Sequence, residues 1–270
     1  MVGDAGDQRS GAADLTSGLR AGYEAAAGCW AAGPERVYAP LAAALIGATA
    51  TPVAGARVLD LGAGTGVAGR AALAAGARHV VAADVAAPML RWCAPPLRPV
   101  AAGATALPFR SGSFDLVVAA FVVSHLVNLG AGLAEARRVG VGLAASAFRS
   151  GWTHPAKAAI DAILSESGYR PPPWYAAFKR ETEARAGDPA HLAASARAAG
   201  LTGVRVQTVT VRTGVSAPED IVSWRLGMAH IAPFVRSLDP PARARVRRAA
   251  AAAVAGCPPL TVPMLVLTSR

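Results

Sequence analysis

Residues 58–66 read Val-Leu-Asp-Leu-Gly-Ala-Gly-Thr-Gly, and this segment says most about the fold. A short apolar run, typical of a buried strand, leads into a turn with three glycines, and an Ala-rich helical segment follows at 66–75. Glycine lets the backbone approach a ligand closely, and backbone N–H groups at the start of a helix can meet an anionic or polar group. The stretch therefore predicts a strand, a ligand-binding turn and a helix in succession.

The spacing of these glycines separates two kinds of nucleotide site. A dinucleotide site needs Gly-x-Gly-x-x-Gly, because its third glycine permits close packing of helix and strand beside a pyrophosphate. Here the spacing is Gly-x-Gly-x-Gly, and Val67 occupies the later position. An NAD-dependent oxidoreductase is therefore disfavoured.

The pattern of the glycine turn continues along the chain as alternating strands and helices, which indicates a doubly wound, mainly parallel α/β sheet. We expect a further helix at 86–93 and another at about 127–138, and a single catalytic unit over 15–270. The strands are expected at 58–59, 79–82, 98–101, 114–120, 139–147, 203–211 and 261–268.

The segments on either side of this core have other compositions. Residues 1–14 read as disordered, whereas 15–29 and 34–48 have helical composition. Aromatic residues concentrate at 149–187, in a chain that is only 6% aromatic, and a second, largely helical segment covers about 215–258. We expect these two insertions to form a lid over a substrate.

Three further motifs accompany the glycine turn: Asp84 at the end of the second strand, Ala-Thr-Ala-Leu-Pro-Phe at 104–109, and Ser-Phe-Asp-Leu-Val-Val at 113–118. With Asp60 to Gly66, they resemble the class I S-adenosyl-L-methionine (SAM)-dependent methyltransferases, particularly the small-molecule group that includes ubiquinone and menaquinone C-methyltransferases. The resemblance covers roughly 55–148. It implies a seven-stranded, Rossmann-like methyltransferase fold with N-terminal helices and a helical lid, SAM as cofactor, and methyl transfer to a small molecule.

The resemblance also implies the cofactor site. Asp60 would face the amino group of SAM, Asp84 would accept hydrogen bonds from the ribose hydroxyls, and Val85 and Met89 would flank the adenine. In many relatives an Asp precedes the Ala of the 104–109 motif, but Gly103 stands there, which weakens the adenine contact. The residues expected at the cofactor are Asp60, Gly62, Ala63, Gly64, Gly66, Asp84, Val85, Met89, Ala104, Thr105, Ala120 and Phe121.

Three histidines are candidate general bases: His125, His154 and His230. His125 follows the fourth strand, and an imidazole can deprotonate a nucleophile near neutral pH. The alternative for His125 is a structural role that shapes the pocket, and for His154 and His230 it is a surface or packing role. Methyl transfer from a sulfonium is an in-line displacement that positioning and water exclusion can promote, so a base is optional. Substrate contacts are expected from Tyr23, Tyr38, Trp152, Trp174, Trp224 and Met228.

The formal charge of +10 raises the question of nucleic-acid binding. The densest cationic run, at 243–248, lies in an Ala-rich helical stretch without base-stacking aromatic residues, so it reads as a solvated face. An RNA methyltransferase is the less favoured interpretation. We expect a small-molecule substrate, no membrane span and no metal site; a homodimer stays open.

Three scattered cysteines support neither a disulfide framework nor a zinc site, and a reducing cytoplasm is the expected setting. The main functional alternative is a protein of the same fold that catalyses a cyclisation or pericyclic step without methyl transfer. A non-enzymatic binding module would be the interpretation if the chain did not bind SAM.

Overall fold

The computed structural model describes the backbone of residues 4–270 and the side chains of residues 11–270. Its centre is one seven-stranded sheet in the order β3-β2-β1-β4-β5-β7-β6, in which β7 alone runs antiparallel to its neighbours. The predicted α/β, mainly parallel fold is confirmed. The strands are β1 (Arg57–Leu61), β2 (His79–Asp84), β3 (Arg98–Ala101), β4 (Phe114–Ala120), β5 (Gly140–Phe148), β6 (Arg205–Arg212) and β7 (Thr261–Ser269).

Helices cover both faces of the sheet, as a parallel sheet requires. Several begin at an expected signal, such as Asn128, whose side chain accepts a hydrogen bond from Ala131 N and so caps the helix that follows the fourth strand. The helices are α1 (Asp4–Ala32), α2 (Pro34–Gly47), α3 (Val67–Ala74), α4 (Ala87–Leu90), α5 (Leu129–Val139), α6 (Pro155–Glu166), α7 (Pro173–Phe178), α8 (Ala184–Ala186), α9 (Pro189–Ala198), α10 (Pro218–Leu226), α11 (Ala232–Ser237) and α12 (Pro240–Val254).

Two apolar layers bury the faces of the sheet. Val58 and Val118 belong to the layer that packs under α2 and α3, whereas Leu59 and Val117 belong to the opposite layer, under α5 and α9. Side chains alternate between the two faces of a strand, so neighbouring apolar residues supply both layers. This explains why residues 116–120 of β4 form a continuous apolar run and not an alternating one.

The first helix differs from the sequence-based expectation. Helix α1 begins at Asp4, so most of the segment 1–14 that was expected to be disordered is helical, while residues 1–3 lie outside the described part of the chain. Helix α1 packs on α7, where Gly18 and Gly22 leave room for the Trp174 ring: a Cβ at either glycine would come within 2.5–2.7 Å of that side chain.

Both expected insertions are helical. The first contains α6, α7, a π-helical turn at Lys179–Glu183 and α8, and the second contains α10 to α12. Helix α6 packs against α12 and α10, and α10 packs against α2, so the two insertions contact each other and the N-terminal helices. Among the residues described, none of the helices has the length and apolar character needed to cross a membrane.

Candidate functional site

The glycine turn joins β1 to α3 and brings its backbone close to the end of β4. Gly62 has a φ of 67°, in the left-handed region, and a Cβ there would lie 2.3 Å from Cγ2 of Val122. Only glycine satisfies both conditions without a shift of the backbone. The N–H groups of Gly62 and Ala63 donate to the carbonyl oxygen of Ala83 at 2.8 and 3.0 Å, which ties the turn to β2.

Asp84, at the end of β2, is bonded directly to this turn. Its Oδ2 accepts a hydrogen bond from Gly64 N at 2.8 Å, and its Oδ1 accepts one from Ala86 N, also at 2.8 Å. Burial raises the pKa of the Asp84 carboxyl, and these backbone hydrogen bonds oppose that rise. A carboxylate has about four acceptor positions, so lone pairs remain for the hydroxyl groups of a bound nucleoside.

Asp60 lies behind the turn. Its side chain is 1% exposed, Oδ2 accepts a hydrogen bond from Gly69 N at 2.7 Å, and Oδ1 is buried without a partner in the described residues. Burial raises the pKa of this carboxyl to about 7; the Gly69 hydrogen bond opposes the rise and the nearby charge of Asp84 adds to it. Asp60 thus supports the start of α3 and retains one unsatisfied oxygen atom.

A cavity of about 750 Å³ opens over the turn and Asp84. Of the twelve residues expected at the cofactor, all but Asp60 and Gly66 line it. Its volume falls within the range of ordinary cofactor pockets. The lining residues from that set are Gly62, Ala63, Gly64, Asp84, Val85, Met89, Ala104, Thr105, Ala120 and Phe121.

Several lining residues had not been singled out from the sequence. Thr65 belongs to the glycine turn, and its hydroxyl is buried without a hydrogen-bond partner among the described residues. Thr16, Ser17 and Arg20 of α1 cover the cavity from the side opposite the sheet. Thr65 lies within the glycine turn, so the sequence motif could have identified it as a lining residue. The sequence of α1, by contrast, has no local signal that this helix lies over the turn.

Gly103 also lines this cavity. Its φ is not in the left-handed region, and a Cβ built on it would meet no atom within 4 Å. Space for a larger side chain is therefore present at the position where many relatives have Asp.

The chain leaves β4 through a residue with unusual backbone geometry. Phe121 has a φ of 59°, which is uncommon for a residue with a side chain. Its N–H group donates to the carbonyl oxygen and to Oγ of Ser146 at 3.0 and 3.2 Å. Residues held in this region of φ often mark functional sites. The geometry places the Phe121 carbonyl oxygen beside His125.

His125 has both ring nitrogens in hydrogen bonds. Nδ1 lies 2.9 Å from the carbonyl oxygen of Phe121, which can only accept, so Nδ1 carries the proton. Burial lowers the pKa of His125 to about 4, so the ring is neutral at pH 7 and Nε2 is an acceptor. Nε2 therefore accepts the hydrogen bond from Tyr23 Oη, 2.8 Å away. The pKa of Tyr23 is raised, chiefly by burial, which keeps the phenol protonated.

A second cavity of about 330 Å³ adjoins the first, and both are lined by Tyr23, Tyr38 and His125. All six residues expected to contact substrate line this smaller cavity, although they come from α1, α2, the two helical insertions and the segments between them. Trp152 stacks on Phe148, with ring centroids 5.3 Å apart and an interplanar angle of 7°, and its Nε1 donates to the Thr261 carbonyl oxygen at 3.2 Å.

The other two histidines have different surroundings. His154 precedes α6 and is not among the residues that line either cavity; its Nδ1 accepts a hydrogen bond from Ala156 N at 3.2 Å, so it caps the helix. His230 lines the smaller cavity and stacks on Tyr175, with centroids 3.6 Å apart. Of the three candidate bases, only His125 touches both cavities.

Comparison with known proteins agrees with this geometry. A family model described as a methyltransferase domain matches residues 59–141, which include the glycine turn, Asp84 and β4. The demethylmenaquinone methyltransferase of Clavibacter sepedonicus is 49% identical over 94 residues, covering 33% of this chain and 38% of that protein. The protein of the same name from Mycolicibacterium gilvum (strain PYR-GCK) is 44% identical over 84 residues, covering 31% and 36%. The chain thus spans little more than a third of these relatives.

Solved structures match over most of the chain. A methyltransferase from an antibiotic biosynthesis pathway of Anabaena variabilis aligns with a TM-score of 0.54 and 15% identity, covering 85% of this chain and 96% of that one. The cyclase SpnF aligns with a TM-score of 0.50 and 17% identity, covering 86% and 80%. At these identities the likeness concerns the fold. The sequence matches confirm the predicted resemblance and a methyltransferase domain over residues 59–141.

Proposed function

We propose that this chain transfers a methyl group from SAM, held in the larger cavity, to a small, mainly apolar metabolite held in the smaller one. The observation that carries the proposal is the 2.8 Å hydrogen bond from Gly64 N to Asp84 Oδ2. It joins the glycine turn of β1 to the carboxylate of β2 at the carboxyl ends of two neighbouring strands, where ligands bind in open α/β sheets.

The residues present suit SAM. Asp84 can accept hydrogen bonds from ribose hydroxyls, Gly62 and Gly64 line the cavity without side chains, and Met89 and Val85 offer apolar surface to a purine. SAM supplies a methyl group on a positively charged sulfur, which makes that group open to attack by a nucleophile.

The chain itself positions the reactants and excludes water from them. Tyr23, Tyr38 and His125 line both cavities, so a substrate in the smaller cavity meets the cofactor site at these three side chains. Tyr38 packs edge-on against Phe121, with centroids 5.3 Å apart, which provides an apolar wall at this junction. Positioning of reactants and exclusion of water account for a large part of the rate in such displacements.

Proton transfer would use the hydrogen bond between Tyr23 and His125. A substrate hydroxyl could give its proton to Tyr23 Oη while the phenol proton moves to His125 Nε2. The Nδ1–H group of His125 would keep its proton and its hydrogen bond to the Phe121 carbonyl oxygen. With a pKa of about 4, His125 is a weak base. The arrangement therefore favours a nucleophile that is acidic or already ionised, because such a nucleophile needs little help from a base.

Calorimetric titration of the full chain with SAM and with S-adenosylhomocysteine (SAH) tests the proposal, together with mass spectrometry for methylated products in a metabolite extract. We expect both nucleosides to bind and a product to appear that is heavier by one methylene unit. Asp84→Ala should weaken SAH binding at least tenfold. Asp115→Ala is the matched control, because Asp115 also accepts a backbone N–H but lies at the opposite end of its strand.

The outcomes separate the alternatives. Binding of both nucleosides without a methylated product would favour a cyclase or pericyclase, the alternative drawn from the sequence. An acceptor found only among RNAs would contradict a small-molecule substrate. Failure of SAM and SAH to bind, or an Asp84→Ala variant with unchanged affinity, would refute the cofactor site.

A further inference from the structure

We propose that the smaller cavity selects a substrate carrying a carboxylate, and that Lys157 pairs with this group at the end of the cavity remote from the cofactor. The proposal rests on the proposed function for the identification of this cavity as the substrate site. It adds the chemical class of the substrate, an aromatic or conjugated acid, and a residue that determines specificity.

The charges that line the cavity are mostly positive. Four cationic side chains line it, Arg149, Lys157, Lys179 and Arg225, against a single carboxylate, Glu183. Such an excess of one sign in an apolar pocket attracts an anionic ligand and raises its local concentration.

Two of the four cations already have partners. Arg225 is 4% exposed, and its Nε and Nη2 donate to the two carboxylate oxygens of Asp161 at 2.7 and 2.8 Å. Lys179 pairs with Glu183, with Nζ 2.5 Å from Oε2. Among the side chains of residues 11–270, the ion pairs include neither Lys157 nor the exposed Arg149.

Lys157 is half-buried, and its Nζ lies 5.9 Å from the ring centroid of Trp152. Its pKa is lowered, first by burial and then by the positive charges of Arg225 and Lys179; Asp161 and Glu183 oppose this shift. A partly desolvated ammonium group without a carboxylate partner is costly. A carboxylate supplied by the ligand would offset that cost.

Two ring nitrogens of residues that line the cavity also lack partners. Trp224 Nε1 and His230 Nε2 are buried and make no hydrogen bond within the described structure, and these side chains are 3% and 6% exposed. Burial and the charges of Arg225, Lys157 and Lys179 lower the pKa of His230, so its ring is neutral. Buried polar groups are nearly always satisfied, so unpaired polar atoms in a cavity wall indicate a polar ligand group.

The aromatic side chains between Lys157 and the cofactor cavity fix the orientation of the substrate. The Trp152 ring beside Lys157 stacks on Phe148, and Phe148 packs against Phe121 with centroids 4.5 Å apart. Phe121 lines the cofactor cavity. A flat, apolar body lying along these rings would hold its acid group at Lys157 and its nucleophile near Tyr23 and Tyr38.

Matched acids and amides test this inference on the full chain saturated with SAH. The probes are 4-hydroxycinnamate and 2-naphthoate with their uncharged primary amides, and their dissociation constants are measured by calorimetry at pH 7.5. We expect at least one acid to bind roughly tenfold more tightly than its amide, because a hydrogen bond from the ammonium group to a charged carboxylate is stronger than one to a neutral amide.

Variants attribute the preference to one side chain. Lys157→Met should reduce the preference for the acid below about threefold, and Lys157→Arg should retain it. Arg245→Met is the control for loss of one positive charge, because Arg245 is exposed on α12 and does not line the cavity. If Lys157→Met does not fold, as judged by its thermal unfolding, Lys157→Gln replaces it.

The outcomes distinguish this inference from the proposed function. SAH binding without any preference for an acid, or no binding of any probe at 5 mM, would overturn the carboxylate site and leave the cofactor site intact. A preference for acids that persists in Lys157→Met would also overturn it. Acid binding by a chain that does not bind SAH would support the carboxylate site and refute the methyltransferase.

Discussion

The phenol oxygen of Tyr23 lies 2.8 Å from Nε2 of His125, although 102 residues separate them in sequence. Tyr23 belongs to α1, and His125 ends the short 3-10 turn that follows β4. The hydrogen bond therefore ties the N-terminal helix to the end of the sheet at the junction of the two cavities.

Removing the hydroxyl of Tyr23 tests this hydrogen bond. In Tyr23→Phe we expect the methyl-transfer rate to fall roughly 10- to 1,000-fold while the affinity for SAH changes less than threefold, because His125 loses its donor and the substrate loses its polar contact. Rates with an extract-derived substrate and calorimetry with SAH are the measurements. An unchanged rate would assign Tyr23 to packing alone.

The coupling between the two residues is a separate prediction. His125→Ala alone should lower turnover, and the double variant Tyr23→Phe/His125→Ala should lose little more than the more impaired single variant, because the pair acts as a unit. We expect an interaction free energy of about 1–3 kcal/mol from the rates of the four proteins. Additive losses would mean that the residues act independently.

Gly103 offers a gain-of-affinity prediction. A side chain there meets open space beside the larger cavity, so Gly103→Asp should fold normally and add an acceptor for the adenine amine. SAH should bind about three- to tenfold more tightly, since one net hydrogen bond is worth about 1 kcal/mol. Calorimetry with SAH measures the change, and Gly103→Ala, expected to match the parent protein, is the control. Weaker binding in Gly103→Asp would place the adenine elsewhere.

Asp60 makes stability depend on pH. The folded protein raises the pKa of its carboxyl from 3.8 to about 7, so between these values the folded state binds more protons than the unfolded state and stability is lost as pH rises. Asp60→Asn removes this loss. The free energy of unfolding of Asp60→Asn minus that of the parent protein should therefore be larger at pH 8 than at pH 5, by roughly 2–4 kcal/mol.

Urea unfolding of both proteins at these two pH values measures this difference. Comparing the proteins at the same pH cancels the contribution of other groups, including His125. If the difference in free energy of unfolding between the two proteins is the same at pH 5 and pH 8, Asp60 has an ordinary pKa in the folded protein. That result would contradict a buried Oδ1 without a hydrogen-bond partner.

Much of the fold follows from local sequence. Apolar runs of strand length, glycine turns and Ala-rich helical segments alternate along the chain. This alternation predicted the positions of the strands to within a few residues of those in the structure. An exception was α1, because residues 1–14 were expected to be disordered but helical structure begins at Asp4. Packing of Gly18 and Gly22 against Trp174 stabilises this helix later in its length, and such a tertiary contact leaves no local signal.

The glycine turn, the carboxylate of Asp84 and several aromatic residues of the smaller cavity could be predicted from the sequence, because these features depend on residue type and short spacing. Three facts come only from the tertiary structure: Tyr23 contacts His125, Asp60 and His154 lie outside both cavities, and Arg225 has an ion-pair partner whereas Lys157 has none among the described side chains. These facts depend on distances between residues far apart in the chain, which the packing of helices against the sheet sets and no local pattern records.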